Sequence, residues 1–165
     1  HKKIKMGGAS ADDQEMMFKV YAVCTLVLYF KYFFVISNAA NPLDHPAEDV
    51  EKLGLKLEEK PDHKRAQRMQ GNDMENIPFN FGIFVFAIFI QCYANVTNEN
   101  KGKTQTQIIT YMFLIYTIMR VLFTICYRFA LQPFRSIAFL LGTFCVWITV
   151  CTMVSSAFMI DMKSD

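Results

Sequence analysis

Arg65, Arg68, Asn72 and Glu75 stand at i, i+3, i+7 and i+10, and at about 100° per residue they share one quadrant of a helix. Arg120 lies in a run otherwise almost free of charge, with Thr124 and Tyr127 on its own helical face at i+4 and i+7. Arg135 and Ser136 open the last apolar stretch, and Lys31 lies near the end of the first. A guanidinium keeps its proton at physiological pH and can clamp a carboxylate through two parallel N–H bonds. Cations that outnumber carboxylates therefore suit an anion with a polar body. The same residues also suit an internal ion-pair network, for instance Arg120 with Glu75 or Asp73, which would brace a bundle without binding anything.

The elements that must position these residues follow from composition and patterning. The chain has 165 residues, 53% apolar and 19% charged, whereas soluble domains carry about 25% charge. Sixteen Phe, ten Met and seven Tyr against seven Gly and five Pro exclude a disordered chain. The apolar residues fall in four runs, 18–36, 77–94, 108–127 and 137–160. Each run of about 18–24 residues matches, at 1.5 Å per residue, the roughly 30 Å hydrocarbon core of a bilayer. Too little chain remains to wrap four such helices in a soluble protein. The expected fold is all-α: one integral membrane domain over 1–165, a left-handed, antiparallel four-helix bundle.

The second helix should begin well before its apolar part. Pro61 suits a first-turn position, and no strong breaker follows until Pro78. That predicts a helix of about 34 residues and 50 Å, projecting about 20 Å from the bilayer on the side of loop one. Pro78 should kink it by removing the hydrogen bond to the Met74 carbonyl. Arg120 lies about 12 Å inside its span, where an unpaired charge costs several kcal/mol and must face protein or water. Lys31, Arg68, Arg120 and Arg135 then converge on the leaflet that holds Asp73 and Glu75.

Four spans put both ends of the chain on one side. Lys52, Lys56, Lys60, Lys64, Arg65, Arg68, Arg128 and Arg135 weight the other side with positive charge, which favours the cytosol or its equivalent for loops one and three. Loop one also has seven acidic residues, which brings its net charge near zero, so nothing points to nucleic acid. The stretch before Phe18 lacks a cleavage site behind an apolar core, and the first span is expected to serve as its own insertion signal. Met6-Gly7-Gly8-Ala9-Ser10 approaches an acylation signal, with Ser one place early. Cys24, Cys92, Cys126, Cys145 and Cys151 have no metal-ligand spacing and read as packing residues, so no metal site is expected. Asn95-Val96-Thr97 is a glycosylation sequon, but it abuts the end of a span and is expected to stay unmodified.

The segment Arg68-Met69-Gln70-Gly71-Asn72-Asp73-Met74-Glu75-Asn76-Ile77-Pro78-Phe79 resembles the second-helix signature of the membrane-associated proteins in eicosanoid and glutathione metabolism, the MAPEG family. Arg120-x-x-x-Thr124-x-x-Tyr127, followed by Pro133-x-Arg135-Ser136, resembles the third- and fourth-helix motifs of the same family. The likeness runs from Phe18 to Ile160 and is strongest to the microsomal glutathione transferase and prostaglandin E synthase branches.

The resemblance implies a homotrimer surrounded by membrane lipids, with glutathione bound between subunits near the cytosolic surface and a lipophilic substrate arriving from the bilayer. It implies that Arg68, Asn72 and Glu75 hold the glutathione backbone, that Tyr127 contacts it, and that Arg135 is catalytic by stabilising the thiolate, with Ser136 beside it. Lys31 and Arg120 join the glutathione-binding set by converging on the same leaflet. The endoplasmic reticulum is the default membrane, with a mitochondrial or plastid membrane also open. Phe123 stands where relatives often carry His, and Phe139 where the prostaglandin synthase branch has Tyr. Gly71 replaces a larger residue, and the Tyr127 to Arg135 spacing is one residue short of those branches. Prostaglandin synthesis is therefore not implied. Two functions are expected to compete: a glutathione-dependent transferase or peroxidase, and a non-catalytic accessory subunit of a larger membrane complex whose site is empty or holds a lipid headgroup.

Overall fold

A computed structural model describes residues 11–39, 61–97 and 102–161. The expectations for the first ten residues, and for residues 40–60 of loop one with Lys52, Lys56 and Lys60, lie outside them. Four helices make up almost all of the described chain: α1 (Ala11–Ala39), α2 (Pro61–Thr97), α3 (Lys103–Arg128) and α4 (Phe134–Asp161). All four are long and apolar enough to cross a membrane.

Local chemistry accounts for the helix ends. Asp12 and Asp13 sit in the first turn of α1, where carboxylates are favoured by the exposed N–H groups. Helix α2 begins at Pro61 and runs 37 residues without interruption through Pro78. That is about 55 Å, so α2 outreaches the bilayer core.

Burial follows a spacing of three and four residues along α1, through Met17, Tyr21, Cys24, Leu28, Lys31 and Val35, as in helices that pack along a seam. Val23, Phe30, Phe33 and Phe34 on its other faces are exposed. Only 28% of the spanning windows of α1 and α2 is buried within the chain, against 44% for α3. The remaining apolar surface is available to lipid or to other chains.

Helices α2 and α3 each pack against all the others, and α1 lies across the bundle from α4. The start of α1 meets the start of α3, where Gln107 Nε2 donates to Asp13 Oδ1 at 3.2 Å. The end of α1 meets the early part of α2, and the end of α2 meets the end of α4. Successive helices are therefore antiparallel. Phe113 fills the centre, with ring centroids 4.4 Å from Tyr21 and 4.7 Å from Phe84. Beside Pro78, the Tyr116 hydroxyl accepts a bond from Asn80 Nδ2 at 3.3 Å and reaches the Asn76 carbonyl at 3.5 Å.

Two buried polar clusters hold opposite ends of the bundle. At the loop-two end, Gln91 Nε2 donates to Asn95 Oδ1 (2.8 Å) and to the Gly102 carbonyl (3.0 Å). Asn95 Nδ2 donates to Thr106 Oγ1 at 3.1 Å, and Ser156 Oγ donates to Gln91 Oε1 at 2.7 Å. The sequon asparagine is thus buried with its amide nitrogen engaged. A Cβ at position 102 would lie 1.6 Å from Asn95 Oδ1, so any residue larger than glycine there must displace the Asn95 side chain from the cluster.

At the loop-one end the cluster is ionic. Asp73, 0% exposed, pairs with Lys31 Nζ of α1 and with Arg120 Nη2 of α3 at 2.6 Å. Arg120 Nη2 also donates to Asn72 Oδ1 at 2.9 Å. Of the two carboxylates considered for Arg120, Asp73 is its partner, and Glu75 is exposed.

Asp73→Ala should lower stability by about 3–5 kcal/mol, because it strands two buried cations without a counter-charge. Combining it with Lys31→Met and Arg120→Met should recover most of that loss. Unfolding of the detergent-solubilised variants measures both, and an unshifted Asp73→Ala transition would show the pairing to be energetically idle. Gly102→Ala should cost about 1–3 kcal/mol by breaking the amide cluster, read in the same assay; wild-type stability would mean that Asn95 swings aside freely.

Candidate functional site

The turn between α3 and α4 builds one wall of the site. Helix α3 ends with the Leu131 N–H donating to the Cys126 carbonyl (2.8 Å) and the Ala130 N–H to the Tyr127 carbonyl (3.3 Å). This is a Schellman closure, whose left-handed position normally goes to glycine. Ala130 occupies it at φ 57°, at a cost of roughly 1 kcal/mol. The chain then re-enters a helix at once, with the Arg135 N–H on the Leu131 carbonyl (3.2 Å) and the Ser136 N–H on the Pro133 carbonyl (2.9 Å). So tight a return sets the start of α4 beside the end of α3. The Arg135 guanidinium consequently lies over the Tyr127 ring, 4.7 Å from its centroid.

The opposite wall is the projecting part of α2. Arg65 Nη1 donates to the Arg128 carbonyl at 3.2 Å, a cation placed on the carbonyl end of α3 where it is favoured. Between the walls is a pocket of about 350 Å³ lined by Lys64, Arg65, Arg68, Tyr127, Ala130, Gln132 and Arg135. Four of these residues are cations and none is a carboxylate. Such a lining concentrates positive potential and offers many N–H donors, the requirements for holding an anion that also forms hydrogen bonds.

The residues singled out from the sequence fall into three groups. Arg68, Tyr127 and Arg135 line the pocket. Lys31, Asn72 and Arg120 gather around Asp73 in the buried cluster, with Arg120 2% and Lys31 8% exposed. Glu75 and Ser136 are exposed. The Ser136 hydroxyl reaches Gln132 Oε1 at 3.5 Å, and Glu75 forms no ion pair among the described residues.

Lys64, Ala130 and Gln132 are pocket residues that motif reading passed over. Lys64 could have been found, since it precedes Arg68 by one turn on the same helix. Ala130 and Gln132 sit in a turn with no periodicity to mark them.

A second depression of about 420 Å³ lies between α2 and α4, lined by Asn76, Phe79, Asn80, Ile83, Phe139, Thr143, Val146, Trp147 and Val150. Its rim residues Phe79 and Trp147 are exposed. Phe139 in its lining has its ring centroid 6.1 Å from that of buried Phe123.

No curated protein and no solved structure matches the chain. A model of the MAPEG family matches residues 17–154. That stretch runs from the early turns of α1 into the last turns of α4 and takes in the basic pocket, the ionic cluster and the groove, so the chain belongs to the MAPEG family.

Proposed function

We propose that the protein is a glutathione-dependent membrane enzyme whose basic pocket holds the tripeptide. The observation that carries this reading is the lining itself: Lys64, Arg65, Arg68 and Arg135 around one cavity, with no carboxylate among them. Membership of a glutathione-related family supports it.

The residues present fit the molecule. Arg65, Arg68 and Lys64 match its two carboxylates by charge and by donor geometry. The Gln132 carbonyl and the Tyr127 hydroxyl are acceptors suited to its ammonium group. The volume falls within the range typical of small-molecule sites.

Glutathione supplies a thiol, of which the ionised form is the nucleophile. An unperturbed thiol of pKa about 8.5 is mostly protonated at neutral pH, and a neighbouring guanidinium favours the anion. Arg135 serves that role in this reading because it cannot surrender its own proton. Lys31 and Arg120 act from beneath the pocket, holding Asn72 and α2 in place through Asp73. Exposed Glu75 and Ser136 are assigned to a neighbouring subunit's half of the site, in a trimer. The groove between α2 and α4 admits a lipophilic electrophile or hydroperoxide sideways from the bilayer, and the thiolate adds to the first or reduces the second.

Titrating the purified protein with glutathione at neutral pH should raise the ultraviolet absorbance of the thiolate. Arg135→Ala should abolish that rise, and Arg68→Ala should weaken binding by about tenfold or more, as expected for a lost charge-assisted bond. No thiolate signal at saturating glutathione sinks the enzymatic reading in favour of the accessory subunit. Gentle extraction would then be expected to bring the chain out in fixed stoichiometry with other polypeptides.

A further inference from the structure

Four side chains beneath and beside the pocket are stacked in a row. The Arg120 guanidinium lies over the Phe123 ring, 5.0 Å from its centroid. The Phe123 and Tyr127 rings follow at 5.6 Å with a tilt of 51°, and the Arg135 guanidinium covers Tyr127 at 4.7 Å. Arg120, Phe123 and Tyr127 recur at i, i+3 and i+7 and so occupy one face of α3. The inner end of the row is immobilised, because Arg120 is ion-paired to Asp73 and both are buried. Phe123 is 4% exposed and is also packed against Phe139 of α4.

We infer that Tyr127 is a positioning residue that acts through the face of its ring, and that the Arg120–Phe123–Tyr127 row is what aims Arg135 into the pocket. This rests on the glutathione reading for its consequence in catalysis, though not for its geometry. A guanidinium within about 6 Å of a ring centroid is attracted by the negative face of the ring. A hold of that kind acts on the face of the guanidinium and does not itself use its N–H donors. The tyrosine hydroxyl has no part in this contact.

The test uses the full chain in detergent with Tyr127→Phe, Tyr127→Trp, Tyr127→Leu and Phe123→Leu. Arginine labelling by phenylglyoxal, with the extent at Arg135 read by peptide mass spectrometry, requires no glutathione. Tyr127→Phe should label at the wild-type rate and Tyr127→Trp more slowly, since the indole face binds cations best. Tyr127→Leu and Phe123→Leu should label about threefold or more faster, a change matching the strength of one such contact. If the leucine variants fail to fold, the order of Trp, Tyr and Phe still decides the matter. Equal rates for Trp, Tyr and Phe, or faster labelling in Tyr127→Phe, overturns the inference.

With saturating glutathione, Tyr127→Leu should show an about three- to tenfold smaller ratio of bound thiolate to thiol at a given pH, while Tyr127→Phe, which keeps the ring face, should hold the wild-type ratio. Loss of thiolate signal in Tyr127→Phe would mean that the hydroxyl, and not the ring face, supports the thiolate, and would overturn the inference. A wild-type protein that binds no glutathione overturns the proposed function alone, because the labelling order is read without it.

Discussion

A single carboxylate joins three helices of this protein. Asp73 of α2 has no exposed surface and holds Lys31 of α1 and Arg120 of α3 at once. Ions taken out of water are tolerated only when they are paired and hydrogen-bonded, and in a bilayer there is little alternative solvent. The two cations therefore draw their helices to wherever Asp73 stands. The pairing is also uneven: two cations share one carboxylate, and Arg120 Nε has no hydrogen-bond partner among the described residues. Asn72 supplies an amide oxygen to the same guanidinium, a second and uncharged bond between α2 and α3 at this junction.

The two ends of the bundle are held by different chemistry. Near loop one the links are ionic and lie under a cation-lined pocket; near loop two they are neutral amides and hydroxyls from Gln91, Asn95, Thr106 and Ser156. Between them, Phe113, Phe84, Tyr21 and Tyr116 fill the interior. Within a membrane, apolar packing does little to favour one helix partner over another, because lipid tails are equally apolar, and polar contacts between helices contribute about 0.6 kcal/mol each on average. Several contacts at each end, rather than any one of them apart from the ionic junction, keep the helices in register.

Much of this was legible in the sequence, and the reasons are physical. Spans are read from length and apolarity because a bilayer imposes both. The start of α2 was marked by Pro61, which is compatible with a first turn and with little else in a helix. The convergence of Lys31 and Arg120 followed from the cost of an unpaired charge inside a membrane. The helical quadrant that grouped Asn72 with Glu75 was misleading about depth. Asp73 is one step around the helix from Asn72, and pairing with two cations from other helices turned that step inward, leaving Glu75 exposed. Periodicity ranks faces by polarity and cannot tell which of two polar faces will be buried. The pocket wall at Ala130 was hidden for a different reason: its left-handed backbone goes against the preference of alanine, so no residue type announced it.

Pro78 divides α2 into two lengths with separate moorings. It lacks the N–H that would bind the Met74 carbonyl, and Tyr116 of α3 sits beside the gap, touching Asn76 on one side and Asn80 on the other. The length before it is fixed to α1 and α3 by ions, and the length after it to α3 and α4 by amides. Helix α2 is thus one continuous helix with a separate set of bonds on each side of Pro78, and the missing hydrogen bond falls between the two, where neither set depends on it.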